Sequence, residues 1–133
     1  MIHTAARRLA RTLTGTTYVV LGFDAIRAPG PRVGAAGPTL AAIRRLLPLP
    51  QDDELLVRGN AAVQTLAGAA LVAGVLPRPA ALAIAGSLIP TTIAGHAFWT
   101  VDDPGLRKLQ QVQFVKNLAL VGGLIAIAID RGA

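Results

Sequence analysis

The 133-residue chain contains no cysteine. That excludes disulfides within it, a thiolate nucleophile and the usual protein ligands of an iron–sulfur cluster. Any redox chemistry connected with the chain must therefore belong to something bound. Charge is also scarce, with Asp, Glu, Lys and Arg making up 15% of residues, against about 25% in ordinary soluble domains. Histidine occurs only at positions 3 and 96, on opposite sides of the predicted layout below, so no metal centre and no catalytic residue is assigned. The net charge is +6, but the basic residues flank apolar runs and form no stripe with interleaved aromatics. Nucleic acid is a poor fit, and anionic lipid headgroups are a better one.

What remains is apolar. Hydrophobic residues make up 53% of the chain and the mean hydropathy is +0.54. Apolar runs fall at Thr12–Ile26, Leu55–Leu76, Pro79–Phe98 and Val112–Ile129, and about 20 helical residues cross ~30 Å of hydrocarbon. The first run is the weakest, carrying Thr12, Thr14, Thr16 and Thr17, and extends back to Leu9. A signal peptide would also place Arg7, Arg8 and Arg11 ahead of a short apolar run, but no convincing cleavage site follows. The expectation is all-α: one domain over 1–133, an integral membrane four-helix bundle with spans at about 9–26, 55–76, 79–98 and 112–129.

The longest connection, 27–54, is rich in Pro and Gly. Within it Thr39–Leu47 reads as a short amphipathic helix, with Pro38 in its first turn, Leu40, Ile43, Leu46 and Leu47 on one face, and Arg44 and Arg45 toward headgroups. It is either interfacial or an ordinary loop helix packed on the bundle. Basic residues are nearly balanced between the two sides. The three arginines ahead of the first span favour both termini in the cytoplasm, and the excess of Arg over Lys together with abundant Ala, Gly and Pro suggests a bacterial chain in the cytoplasmic membrane.

Polar side chains are expensive inside hydrocarbon, and here they gather. Asp24 ends the first span, Arg58 and Asn60 begin the second, His96 and Trp99 end the third, and Lys116 and Asn117 begin the fourth. With alternating spans all of these lie in one leaflet. Gln64, one turn beyond Asn60 on the same face, would floor the resulting pocket, and Asp24 would be the counter-ion of Arg58 or Lys116. Pro90, with Thr91, Thr92 and Gly95, would bend the third span before His96. Each residue also has a structural explanation: snorkelling or pairing for Arg58 and Lys116, interfacial anchoring for Trp99, and interhelical hydrogen bonds for Asn60, Gln64, His96 and Asn117. Small residues spaced by four, such as Ala81 with Ala85 and Ala119 with Gly123, permit close helix contact.

His96-Ala97-Phe98-Trp99, followed by the run from Gln113 through Lys116-Asn117 to Gly122-Gly123-Leu124, resembles the DoxX family of small bacterial membrane proteins. The charged N-terminus, the glycine-containing first span, the long first loop and Gly74-Val75-Leu76-Pro77-Arg78 extend that resemblance over essentially the whole chain. It implies four membrane helices and association with oxidoreductase systems, through a relationship to a subunit of a thiosulfate:quinone oxidoreductase. The leading expectation is a membrane subunit or anchor, more a non-catalytic subunit than an enzyme on its own, contacting quinone or a protein partner through the polar cluster. In the catalytic variant His96 would donate a proton. The alternatives are a small-solute or ion carrier and a purely structural subunit of a larger membrane complex.

Overall fold

The computed structural model describes residues 1–132. Among them are five α-helices and no strand: α1 (Ile2–Arg27), α2 (Pro31–Arg44), α3 (Asp53–Ala73), α4 (Pro77–Gly95) and α5 (Pro104–Ile129), with a 3-10 turn at Phe98–Thr100. Three are long and apolar enough to cross a membrane: α3, α4 with the turn that follows it, and α5. The first helix has the length, at 26 residues, but not the hydropathy, because its arginines and threonines interrupt the apolar run.

Helix limits differ from the expected spans for a simple reason. Hydropathy marks where hydrocarbon would begin, whereas capping and propensity decide where a helix begins. The segment ahead of Leu9 ends in Ala5, Ala6, Arg7 and Arg8, good helix formers, and α1 starts at Ile2. The last helix starts at Pro104, well ahead of Val112, because the Asp103 carboxylate accepts the Leu106 N–H at 2.7 Å and Pro104 suits the first turn. Asp52 caps α3 in the same way through the Leu55 N–H, at 3.0 Å.

The loop helix is also longer and earlier than expected. Pro31, not Pro38, occupies its first turn, after Gly30 turns the chain with φ +48°, a conformation that costs glycine little. The helix then runs through Pro38 and ends at Arg44, leaving Leu46 and Leu47 beyond it and exposed. The Arg44 side chain does not reach outward. Its guanidinium donates to the Pro50 carbonyl at 2.6 and 2.9 Å and pairs with Asp53 at 2.7 Å, tying the end of α2 to the start of α3.

Four helices contribute to one core: Tyr18 from α1, Leu71 from α3, Ala80, Ala81, Ile84, Ala85 and Leu88 from α4, and Leu124 and Ala128 from α5. Among the described residues the fully buried large side chains are Leu71, Ile84 and Leu124, whereas residues such as Leu13, Leu66, Leu82, Leu118 and Ile125 stand exposed on outward faces. Large apolar surface outside and small residues inside is the arrangement a lipid solvent permits.

The tightest contact joins α1 to α3. A Cβ on Gly15 would lie 2.5 Å from the Gly68 carbonyl oxygen, and one on Gly68 would lie 2.6 Å from the Gly15 carbonyl oxygen. Gly22 sits as closely against Ala61 and Thr65. Beyond this pair, α3 packs on α4 and α4 on α5, while α2 lies against both α3 and α4. At the end that holds the termini, Arg7 of α1 pairs with Asp130 at 2.8 Å, and Arg78 of α4 donates to the Asp130 carbonyl at 2.8 and 3.1 Å.

A polar-floored cleft under the loop helix

Between α2, α3 and α4 lies a cleft of about 280 Å³, near the lower end of the range for small-molecule sites. Its walls are apolar, formed by Ala36, Leu40 and Ile43 from α2, Leu56 and Ala61 from α3, and Ala94 from α4. The polar groups on its lining include Asn60 and Gln64 from α3, Thr91 from α4, and Thr39 and Arg32 from α2.

Asn60 and Gln64 are one turn apart and therefore share a face of α3. The Asn60 amide donates to Thr91 Oγ1 at 2.9 Å, and the Gln64 amide approaches the same oxygen at 3.4 Å. Thr91 in turn donates its hydroxyl proton to the Ser87 carbonyl at 2.9 Å. With that proton committed, Thr91 can only accept from the two amides, which fixes both with nitrogen toward the threonine. Their carbonyl oxygens are then left with no hydrogen-bond partner among the described residues. The floor is uncharged, and its side-chain amides offer both donors and acceptors. It suits a neutral ligand carrying hydroxyl or carbonyl oxygen on an apolar body.

The remaining predicted residues do not converge on this cleft. Asp24 pairs with Arg32 at 2.7 Å, not with Arg58 or Lys116. The physical reason is that Arg58 is already engaged. It binds Glu54, one turn back, at 2.7 Å, and donates to the Ile26 carbonyl at the end of α1, where helix carbonyls lack intrahelical donors. Lys116 is exposed and makes no hydrogen bond or ion pair among the described residues. Its neighbour Asn117 turns inward to donate to Thr92 Oγ1 at 3.0 Å, and consecutive helical residues diverge by about 100°. The expectation that Lys116 faces Arg58, Gln64 and His96 is therefore corrected.

His96 and Trp99 belong to the α4–α5 side. The imidazole Nδ1 of His96 lies 2.7 Å from Gln110 Oε1, a pairing in which Nδ1 donates, and His96 does not line the cleft. Trp99 is exposed and forms an edge-to-face trio with Phe98 and Phe114, with ring centroids 5.2 to 5.8 Å apart. No three His, Asp or Glu side chains come together as a metal site among the described residues.

Two participants were missing from the sequence reading. Arg32 lay in a stretch read as irregular loop, and Gln110 lay outside the expected fourth span. Thr91 was read with Pro90 as part of a bend in the third span, yet it also receives both amides. Its position just after the proline and opposite Asn60 was the available signal.

Comparison with known proteins is sparse but specific. No curated protein and no solved structure matches the chain. The DoxX family model matches residues 6–97, a stretch that takes in most of α1, all of α2, α3 and α4, and the whole lining of the cleft. The chain belongs to the DoxX family.

Proposed function

We propose that the protein is a membrane subunit or anchor of an oxidoreductase system, and that the cleft under α2 receives a quinone or quinol headgroup. The observation that carries the reading is the pair of side-chain amides, Asn60 and Gln64, oriented by one threonine at the floor of an otherwise apolar cleft. A quinone carbonyl would accept from an amide N–H, and a quinol hydroxyl would donate to an amide oxygen. The volume fits a ring, while an isoprenoid tail would leave along the apolar outer faces. Family membership supports the link to redox systems.

In this reading α1 is a fourth span, so the protein is an up-and-down membrane bundle in a bacterial cytoplasmic membrane with both termini cytoplasmic. The Arg7–Asp130 pair between the first and last helices supports a shared side. The loop helix α2 then lies near the membrane surface and covers the cleft. The absence of cysteine keeps electron transfer with a bound quinone and a partner protein. Arg58, His96, Trp99, Lys116 and Asn117 act in packing, anchoring or partner contact instead of headgroup recognition.

The test is purification of the full chain in mild detergent, followed by organic extraction and identification of bound quinone and copurifying proteins. Quinone should be recovered with the native chain and lost from Gln64→Leu. A well-folded preparation with neither quinone nor a redox partner would overturn the reading, and solute flux through liposomes would favour a carrier.

A further inference from the structure

A second cleft, of about 370 Å³, lies between α1 and α5 toward the end that holds the termini. One wall carries Arg7, Arg11 and Thr14, and the other is apolar along Ala119, Leu120 and Gly123 and ends at Asp130. One terminal nitrogen of the Arg11 guanidinium is buried without a hydrogen-bond partner. Arg7, one turn earlier, already holds Asp130. Arg11 is thus a cation on the lining of a gap between helices, with no acceptor for that nitrogen among the described residues. A buried donor left in this way is costly, and more so when charged.

We infer that this cleft binds one anionic phospholipid, with its phosphate on Arg11 and an acyl chain against the apolar wall of α5. Guanidinium and phosphate form short charge-assisted hydrogen bonds, which would satisfy the buried nitrogen. The surrounding charge has the matching sign: Arg7, Arg8, Arg11, Arg78 and Arg131 gather at this end, where Asp130 is the acidic side chain. A free anion would leave the apolar wall uncovered. A second copy of the chain would bring the same excess of arginine and be repelled.

The experiment measures lipid binding to the full chain in uncharged detergent by native mass spectrometry, with thermal unfolding in parallel. Phosphatidylglycerol should form a one-to-one adduct about tenfold tighter than phosphatidylcholine of the same acyl chains, as expected for one charge-assisted contact. Arg11→Gln should reduce phosphatidylglycerol to the phosphatidylcholine level, whereas Arg8→Gln, outside the cleft, should keep the preference. Gly123→Leu gives an independent variant, because a Cβ there meets no atom within 4 Å and the longer side chain would fill the cleft. It should weaken both lipids. Equal binding of the two lipids, an unchanged preference in Arg11→Gln, or equal stabilisation by inorganic phosphate alone would each overturn the inference.

Discussion

Thr91 and Thr92 are consecutive in α4 yet serve opposite helices: Thr91 accepts from Asn60 of α3, and Thr92 accepts from Asn117 of α5. Each hydroxyl also bonds the carbonyl one turn back, of Ser87 and Leu88 respectively. A polar set that looks like one cluster in the sequence is therefore divided along the axis of α4. Thr91→Val should lower thermal stability by about 1 kcal/mol, and Thr92→Val by a similar amount. In double-mutant cycles followed by unfolding in detergent, Thr91→Val should couple to Gln64→Leu, while Thr91→Val and Asn117→Leu should add. Coupling across the two sides would contradict the division.

The α1–α3 contact should be intolerant of even one carbon. Gly68→Ala puts a methyl group 2.6 Å from the Gly15 carbonyl oxygen, so the helices must separate, at a cost of about 1–3 kcal/mol. Gly86→Ala meets nothing within 4 Å and should be neutral or slightly stabilising through helix propensity. Equal melting temperatures for the two variants would argue against the contact.

Arg58 and Lys116 should separate under the same substitution. Arg58→Leu removes the donor to the Ile26 carbonyl and the partner of Glu54, and should destabilise measurably. Lys116→Leu should leave stability and cleft binding unchanged, since the lysine reaches outward from α5. Loss of quinone binding in Lys116→Leu would return that residue to the site.

Asp130 sets a pH dependence at the end that holds the termini. The Gly132 backbone N–H, followed by Arg7, holds its carboxylate below the usual range. A depressed carboxylate stabilises the fold above its unfolded pKa, near 3.9, and loses that contribution as pH falls through the lower folded value. The stability difference between native chain and Asp130→Asn should be constant from about pH 7 to pH 5 and shrink below about pH 4. A difference that instead grew on acidification would contradict the assignment.

Topology can be read by labelling, because the chain has no cysteine of its own. With both termini cytoplasmic, His3→Cys and Arg131→Cys should both be protected from an impermeant reagent in intact cells and both react in inside-out vesicles. Opposite accessibility would remove the four-span proposal.

Much of the cleft was legible from helical spacing. Asn60 and Gln64, four apart in an apolar run, announce a shared inward face, and Thr91 follows a proline that must bend or open its helix. The ion pairs were not legible, because short-range partners compete. Arg58 is held by Glu54 within its own helix and by the Ile26 carbonyl before a distant carboxylate can matter, and Asp24 meets Arg32 only because α2 begins at Pro31. The glycine contact was hidden by an alanine-rich background in which small-residue spacing is common. Ala81 and Ala85 do enter the core, whereas Ala69 and Ala73 stay exposed. The family match also shifts the weight of the resemblance. It covers the first two expected spans and nearly all of the third, and ends at Ala97, ahead of the Lys116–Gly123 segment.

The pairing of α1 with α3 has a bearing on biogenesis. The glycine face of α1 has its counterpart not in the next helix made but in the one after, so the whole of α1 is made before Gly68 has been synthesised. Until then Gly15 and Gly22 present bare backbone to lipid or to whatever protein attends the emerging chain. A polypeptide interrupted before Leu71 would keep that face open, a distinguishing mark by which a membrane protease or insertase could sort unfinished chains from complete ones.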